Sequence, residues 1–240
     1  MKKTFLYLSL TAIIGSVAAP TAASANDFVT NWMDSLYVST FVGGHFLPDI
    51  ETDTLTNDVP YSKETYRQER GFAARFAAGG RINEHLRAEV EFGFNRSGQG
   101  SIDEILVGAT TTTSYSGHGD IDTYTLMGNL WVDIPLFGGS WGLTPYVGGG
   151  VGAALVQSDL TYTSFPGYGP QASSVELAAQ LGAGLNWAIS DRFSAGLGYR
   201  LLFVNGPEIR QTTGVNEVTT YRFDDMLSHS VGVTLTAHLN

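Results

Sequence analysis

Side-chain character alternates with a period of two along much of this 240-residue chain, and no other feature narrows the possible folds as far. Leu86, Ala88, Val90, Phe92 and Phe94 share one face of a run whose other face is Arg87, Glu89, Glu91, Gly93 and Asn95. A helix of 3.6 residues per turn mixes these two sets, whereas an extended strand separates them. The split recurs in Leu177, Ala179, Leu181, Ala183, Leu185, Trp187 and Ile189, opposite Ala178, Gln180, Gly182, Gly184, Asn186 and Ala188. It recurs again in Phe193, Ala195, Leu197, Tyr199, Leu201 and Phe203, opposite Ser194, Gly196, Gly198, Arg200 and Leu202. Weaker copies cover 36–46, 71–81, 122–134, 143–156 and 226–239, making eight predicted strands. In the first of them Tyr37 and Phe41 put aromatics on the face opposite Val38 and Val42.

The connections alternate as well. Short turns fall at 82–85, 135–140 and 190–192, and long polar segments at 47–70, 97–120, 157–173 and 205–225. Four long connections at one end and three short ones at the other predict an all-β fold, an eight-stranded antiparallel up-and-down transmembrane β-barrel with both termini on the short-turn side. Each run reaches the roughly 9–11 residues that a tilted membrane-spanning strand needs.

The less apolar face separates a membrane barrel from a soluble one. A soluble barrel turns Lys, Glu, Gln and Thr to water, whereas here glycine, alanine and serine dominate, as in Gly148, Gly150, Gly152, Gly182, Gly184, Gly196 and Gly198. Small residues with isolated charges suit a cramped polar lumen. Arg75, Arg87, Glu89, Glu91, Asp133, Glu176 and Arg200 are predicted to point inward and pair as a structural charge network, because an unpaired charge in a low dielectric is costly. The apolar faces of strands three, six and seven carry no charge, as lipid contact requires. Trp131, Trp141 and Tyr146 near the second turn, and Trp187 and Phe193 near the third, are predicted to form an interfacial girdle.

Residues 1–25 read as a cleavable signal peptide: Lys2 and Lys3, an apolar stretch from Phe5 to Val17, and Ala23-Ser24-Ala25 before a cut at Asn26. Residues 26–35 then form a short periplasmic segment and 36–240 the barrel domain. Past residue 25 no apolar run is long enough for a helical span. The absence of cysteine excludes a disulfide scaffold, a thiolate zinc site, a thiol nucleophile and acylation at cysteine. A net charge of −10 argues against nucleic acid as a partner.

Several weaker patterns bear on chemistry. Gly148, Gly150 and Ala153 fit a loose dinucleotide-loop spacing, but the Pro- and Gly-rich Tyr162 to Pro170 follows instead of a helix, so they read as strand glycines. His229 between Ser228 and Ser230, with Glu208 or Asp224 nearby, is the rival enzymatic arrangement, a lipid-modifying hydrolase; neighbouring strand residues, however, point to opposite faces. Asp49, Glu51 and Asp53 lack the spacing of a calcium loop and read as an acidic solvated segment. Neither a catalytic residue, a metal nor a cofactor is expected. Tyr162, Phe165 and Tyr168 are the expected partner-binding patch of the third long connection.

Three stretches carry a family likeness: Leu86 to Phe92, Leu126 to Asp133 and Leu143 to Gly152. With Ala179 to Gly184, Ser190-Asp191-Arg192, Gly198-Tyr199-Arg200 and Ser228 to Val231, their order resembles the opacity-type porin family of small OmpA/OmpX-like Gram-negative outer-membrane surface proteins. The resemblance covers nearly all of residues 26–240. One departure is the ending Leu239-Asn240, where family members usually carry a terminal aromatic read by the assembly machinery. The resemblance implies an eight-stranded barrel in the outer membrane with variable surface loops and a structural, adhesin or antigen role, not a shared catalytic site. The expected partners are outer-membrane lipid, the periplasmic chaperones and barrel-assembly machinery in transit, and host or envelope partners at the loops. A small porin or channel is the alternative.

Overall fold

The computed structural model describes residue 32 and residues 35–134, 142–163, 171–214 and 216–239. The predicted export signal and the turn at 135–140 lie outside them, as do Trp141, Phe165, Tyr168 and Asn240. The described chain is all β: β1 (Tyr37–Phe46), β2 (Ile50–Thr56), β3 (Val59–Gln68), β4 (Gly71–Arg81), β5 (Leu86–Leu106), β6 (Thr113–Asp133), β7 (Leu143–Tyr162), β8 (Gln171–Ala188), β9 (Phe193–Val204), β10 (Glu208–Gly214), β11 (Glu217–Phe223) and β12 (Met226–His238).

Eight of these strands close a ring in the order β5-β4-β1-β12-β9-β8-β7-β6, with β6 returning to β5. Every ladder is antiparallel, and β1 pairs with β12 from Tyr37↔His238 to Phe46↔His229, joining the two ends of the chain. Closure matters because lipid offers no hydrogen-bond partner to an exposed strand edge. The faces follow the sequence alternation. On β5, Val90 and Phe92 are more than half exposed while Glu89, Glu91 and Asn95 are buried inside. Val231, Val233 and Leu235 of β12, and Leu197 and Tyr199 of β9, continue the outward apolar belt. Phe72, Phe94 and Tyr124 stack in sequence around its upper margin, with ring centroids 5.5 and 4.9 Å apart.

The long connections differ from expectation. Residues 47–70 and 205–225, long polar connections by sequence, are mostly strand. β2 and β3 form a hairpin closed by Asn57 and Asp58, both at positive φ, the backbone that a two-residue type I′ turn requires. β10 and β11 form a second hairpin, β11 pairs with β2, and β3 pairs with the outer half of β5. The hairpins thus continue the ring strands after short breaks at 47–49, 69–70, 205–207 and 224–225. Single hydrogen bonds carry the ladders across these breaks, as in Glu69 N–H to the Gly98 carbonyl (2.7 Å) and Asp224 N–H to the Glu51 carbonyl (2.9 Å). The result is a second tier stacked on the first, in the order β10-β11-β2-β3-β5-β6-β7-β8. Where the first tier pairs β8 with β9, the second brings β8 and β10 into contact, with no ladder between them among the described residues.

The upper tier reverses polarity. Ile50, Tyr66, Ile102, Ile121, Leu160, Ile209, Tyr221 and Phe223 fill its interior, joined by Leu47, Met127, Leu202, Val204 and Met226 where the tiers meet. Its outer face carries a row of alternating charge across four strands: Glu208↔Arg222↔Asp53↔Lys63. Because this tier is laddered and cored, backbone amides of β2, β3 and β11 are expected to exchange with deuterium far more slowly than the 107–112 connection. Uniformly fast exchange across 47–70, measured by mass spectrometry on the detergent-solubilised chain, would return that segment to the status of a loop.

Candidate functional site

The lower tier encloses a polar lumen. Six of the seven predicted network residues, Arg75, Arg87, Glu89, Glu91, Asp133 and Arg200, lie within it, each under 10% exposed. Their placement follows from strand parity: inward positions on β4, β5, β6 and β9 meet across the ring. Arg87 Nε donates to both oxygens of Asp133 (3.0 and 2.9 Å), and Arg81 reaches the same carboxylate at 3.0 Å from the short-turn margin. Glu89 accepts from Tyr37 Oη (2.9 Å), Trp131 Nε1 (2.7 Å) and Asn129 Nδ2 (3.3 Å). Gln180 Nε2 donates to Glu91 Oε1 (2.9 Å) and Asn129 Oδ1 (2.7 Å), linking the two glutamates through amides. Arg75 faces Glu91 at 3.7 Å and donates to Asn95 and Ser230, both at 3.2 Å. His45 joins at the top through Nδ1 and Ser230 Oγ, 3.1 Å apart. A polar chain thus runs along the lumen from His45 to Arg81.

Aromatics hold the arginines where carboxylates do not. Arg200 stacks over Trp131 at 4.2 Å and donates to Tyr146 Oη at 3.2 Å. Arg75 lies over Phe41 at 4.8 Å and Arg87 over Tyr37 at 5.6 Å. Such cation–π contacts contribute about 2 kcal/mol when desolvated. Room for them comes from glycine: a Cβ at Gly182 would stand 2.8 Å from Arg200 and 2.9 Å from the Trp131 ring. Between Arg75, Glu91, Arg200 and Thr234 there remains a cavity of about 30 Å³, room for a few waters.

Three sequence expectations are corrected. Trp131 and Tyr146 were assigned to the interfacial girdle, but both are buried in the lumen, 1% and 5% exposed, because they occupy inward positions of β6 and β7. Trp187 and Phe193 do face outward. Glu176 stands apart from the network near the tier junction, half-buried and hydrogen-bonded by Ser174. Tyr162 is not an exposed anchor: it packs against the upper core and meets Tyr115 edge-on at 5.4 Å. The residues that sequence reasoning missed in the lumen are Tyr37, Phe41, Asn95, Asn129 and Gln180. All share the inward parity of the charges they support.

The remaining patterns resolve by position. His229 points outward and bonds Tyr199 Oη at 2.6 Å, while Ser228 and Ser230 point into the barrel, so the wall separates them. Glu208 is bound by Arg210 (3.0 Å) and Arg222 (2.9 Å), which hold its carboxyl below the ordinary range. Asp49 and Asp53 are tied to Arg67 and Lys63 instead of converging on one point. Gly148 to Gly152 lie inside β7. Glu64, buried in the upper tier, accepts hydroxyl hydrogen bonds from Thr54 (2.9 Å), Ser62 (3.1 Å) and Tyr66. Burial and the Glu64 carboxylate push both the Tyr66 phenol and the neighbouring Glu104 carboxyl up.

What this arrangement does chemically is bind charge to charge and close the barrel. Removing one partner of a buried pair costs about 3–5 kcal/mol, because the other is left uncompensated. Arg87→Ala is therefore expected to lower the unfolding free energy by about that amount in urea titrations of the refolded, detergent-bound chain. A loss under about 1 kcal/mol would mean that Arg81 alone compensates Asp133.

Comparison with known proteins places the geometry in context. The outer membrane protein beta-barrel domain family matches residues 9–236. An uncharacterized protein of Brucella abortus (strain 2308) is 30% identical over 172 residues, covering 62% of this chain and 57% of the relative, so the chain matches little more than half the relative's length. Among solved structures, the outer membrane protein OprG of Pseudomonas aeruginosa superposes with a TM-score of 0.53 at 16% identity, covering 85% of this chain and 97% of the other. The outer membrane protease OmpT of Escherichia coli gives 0.50 at 6% identity, covering 86% and 97%. At these identities the two structures speak to fold alone.

Proposed function

The chain belongs to the outer membrane protein beta-barrel family, and from that premise we propose that it is a closed surface platform whose working part is the upper tier. The single observation that carries this reading is that the barrel is filled twice over. The lower lumen is packed by paired charges and stacked aromatics around a cavity of about 30 Å³. Above it, the apolar core from Leu47 and Met226 to Tyr66 and Phe223 roofs the polar chain. A hydrated ion would have to displace both layers, which favours display over the channel alternative.

In this reading residues 1–25 are the export signal and 36–240 the barrel domain. The belt anchors the chain in outer-membrane lipid after delivery by chaperones and the assembly machinery. The polar network rigidifies the wall, and the four long connections present a structural, adhesive or antigenic surface. His229, bonded to Tyr199 on the outer wall and away from its neighbouring serines, supports a non-catalytic role.

Two measurements test the proposal. In planar bilayers the intact chain is expected to be electrically silent; unitary steps that vanish in a Glu89→Gln variant would establish a channel instead. Orientation is checked by chemistry, because Lys63 is the only lysine after Lys3. An amine-reactive polymer too large for porin channels should modify Lys63 on intact cells. Modification only after the outer membrane is permeabilised would place the upper tier on the wrong side.

A further inference from the structure

We propose that the outermost rim of the barrel docks a cationic segment of a partner protein, one that carries apolar side chains between its lysines and arginines. The inference rests on the proposed function above in one respect, that the upper tier faces outward. Its own basis is a cluster of exposed apolar side chains at the tips of three connections: Val59 (65% exposed), Tyr61 (53%), Ile105 (40%), Val107 (62%) and Val218 (39%). Backbone bonds set these strands side by side. Val107 N–H donates to the Tyr61 carbonyl and Asn57 N–H to the Val218 carbonyl, both at 2.9 Å, while Thr56 pairs with Val59.

This cluster is not an extension of the lipid belt. From Phe94, at the upper aromatic margin, to Val107 is thirteen residues of β5 and its end. At about 3.3 Å per residue and a tilt near 40°, that is roughly 30 Å above the margin. Singly scattered apolar residues need no explanation, but a contiguous set far from lipid, centred on a tyrosine, has the make-up of an interface anchor.

Charge selects the occupant. The four long connections hold fourteen acidic residues against five basic ones. Four of those five are already engaged: Lys63 with Asp53, Arg67 with Asp49 and Asp103, and Arg210 and Arg222 with Glu208. The four connections therefore carry a net excess of nine carboxylates spread from the tier junction to the rim, with Glu64 buried among hydroxyls, Asp120 facing Arg96 and Asp58 facing Arg210. A second copy of this chain, a phosphate-bearing lipid surface and nucleic acid all meet it with like charge, whereas a basic segment meets it with opposite charge. Valines and a tyrosine supply contact area, and the acidic field supplies attraction and orientation.

The test uses the full-length chain in nanodiscs of zwitterionic lipid and a fluorescent peptide of alternating lysine and valine, followed by anisotropy. Tyr61→Ser combined with Val107→Ser is expected to weaken binding about tenfold or more, the loss typical of removing an anchor. Val59→Ser with Val218→Ser, on the neighbouring hairpins, should weaken it likewise, and each variant's folding is checked by its heat-dependent electrophoretic shift. A lysine–serine peptide should bind less well, added salt should weaken all binding, and a glutamate–valine peptide should not bind. Equal affinity for wild type and both tip variants, or binding of the glutamate peptide, overturns the proposal. If Lys63 is labelled on intact cells and the peptide still fails, the docking inference falls while surface display stands. If Lys63 is reached only after permeabilisation, the display reading falls first.

Discussion

Every backbone donor and acceptor that crosses a lipid bilayer has to find its partner within the protein, and the β1–β12 ladder is where this chain meets that demand. Ten residue pairs from Tyr37↔His238 to Phe46↔His229 join the first strand to the last, so the sheet has no edge at membrane depth. Closure at eight strands also fixes the lumen's width, and the width dictates its contents. The interior has room for Trp131, Tyr146 and three arginines because Gly182 and its neighbours yield the space, and little room for anything else. The charge network is thus a consequence of ring size. Side chains must fill the lumen, lipid excludes their charges from outside, and within the lumen charges persist by pairing and stacking.

The strands do not stop where the membrane does. β5 runs 21 residues from Leu86 to Leu106, about twice what a spanning strand needs, and its inward positions pass from Glu89 and Glu91 through Asn95 and Ser97 to Ile102. The outward positions make the opposite journey, from Val90 and Phe92 to Arg96 and Asp103. One set of ladders therefore serves two solvents. Within lipid the wall is apolar outside and polar inside; above it the wall is polar outside and apolar inside. The breaks at 47–49, 69–70, 205–207 and 224–225 sit at this reversal, where the tier changes environment.

That reversal also explains what could and could not be read from the chain alone. The eight spanning strands were legible because lipid imposes an unbroken apolar parity, as in Leu177 to Ile189, and the lumen charges were legible as exceptions on the opposite parity. The hairpins were not. Ile50-Glu51-Thr52-Asp53-Thr54 sets acids between Ile50 and two threonines, and against a lipid-facing template such a pattern scores as polar loop although Ile50, Thr52 and Thr54 face a core. Trp131 and Tyr146 misled for a related reason. Proximity to a strand end suggests an interfacial girdle, but the parity of β6 and β7 turns both inward, and parity outranks proximity. Glu176 was placed by parity without regard to height, which put it with the charges below instead of near the junction.

The pairing of β5 with β6 ends at Glu104↔Thr113 and that of β5 with β3 at Leu106↔Ser62, leaving 107–112 as the connection on top of a laddered, cored tier. Lengthening such a tip adds only loop-closure entropy, about 0.6 kcal/mol for each doubling, whereas a single-residue insertion below it would shift every following side chain to the wrong face. Mutational freedom is therefore distributed by height. The wall admits substitutions that keep size and parity, and the rim admits changes of length and character, so lineages of this chain can diversify at the rim while inheriting the same barrel beneath it.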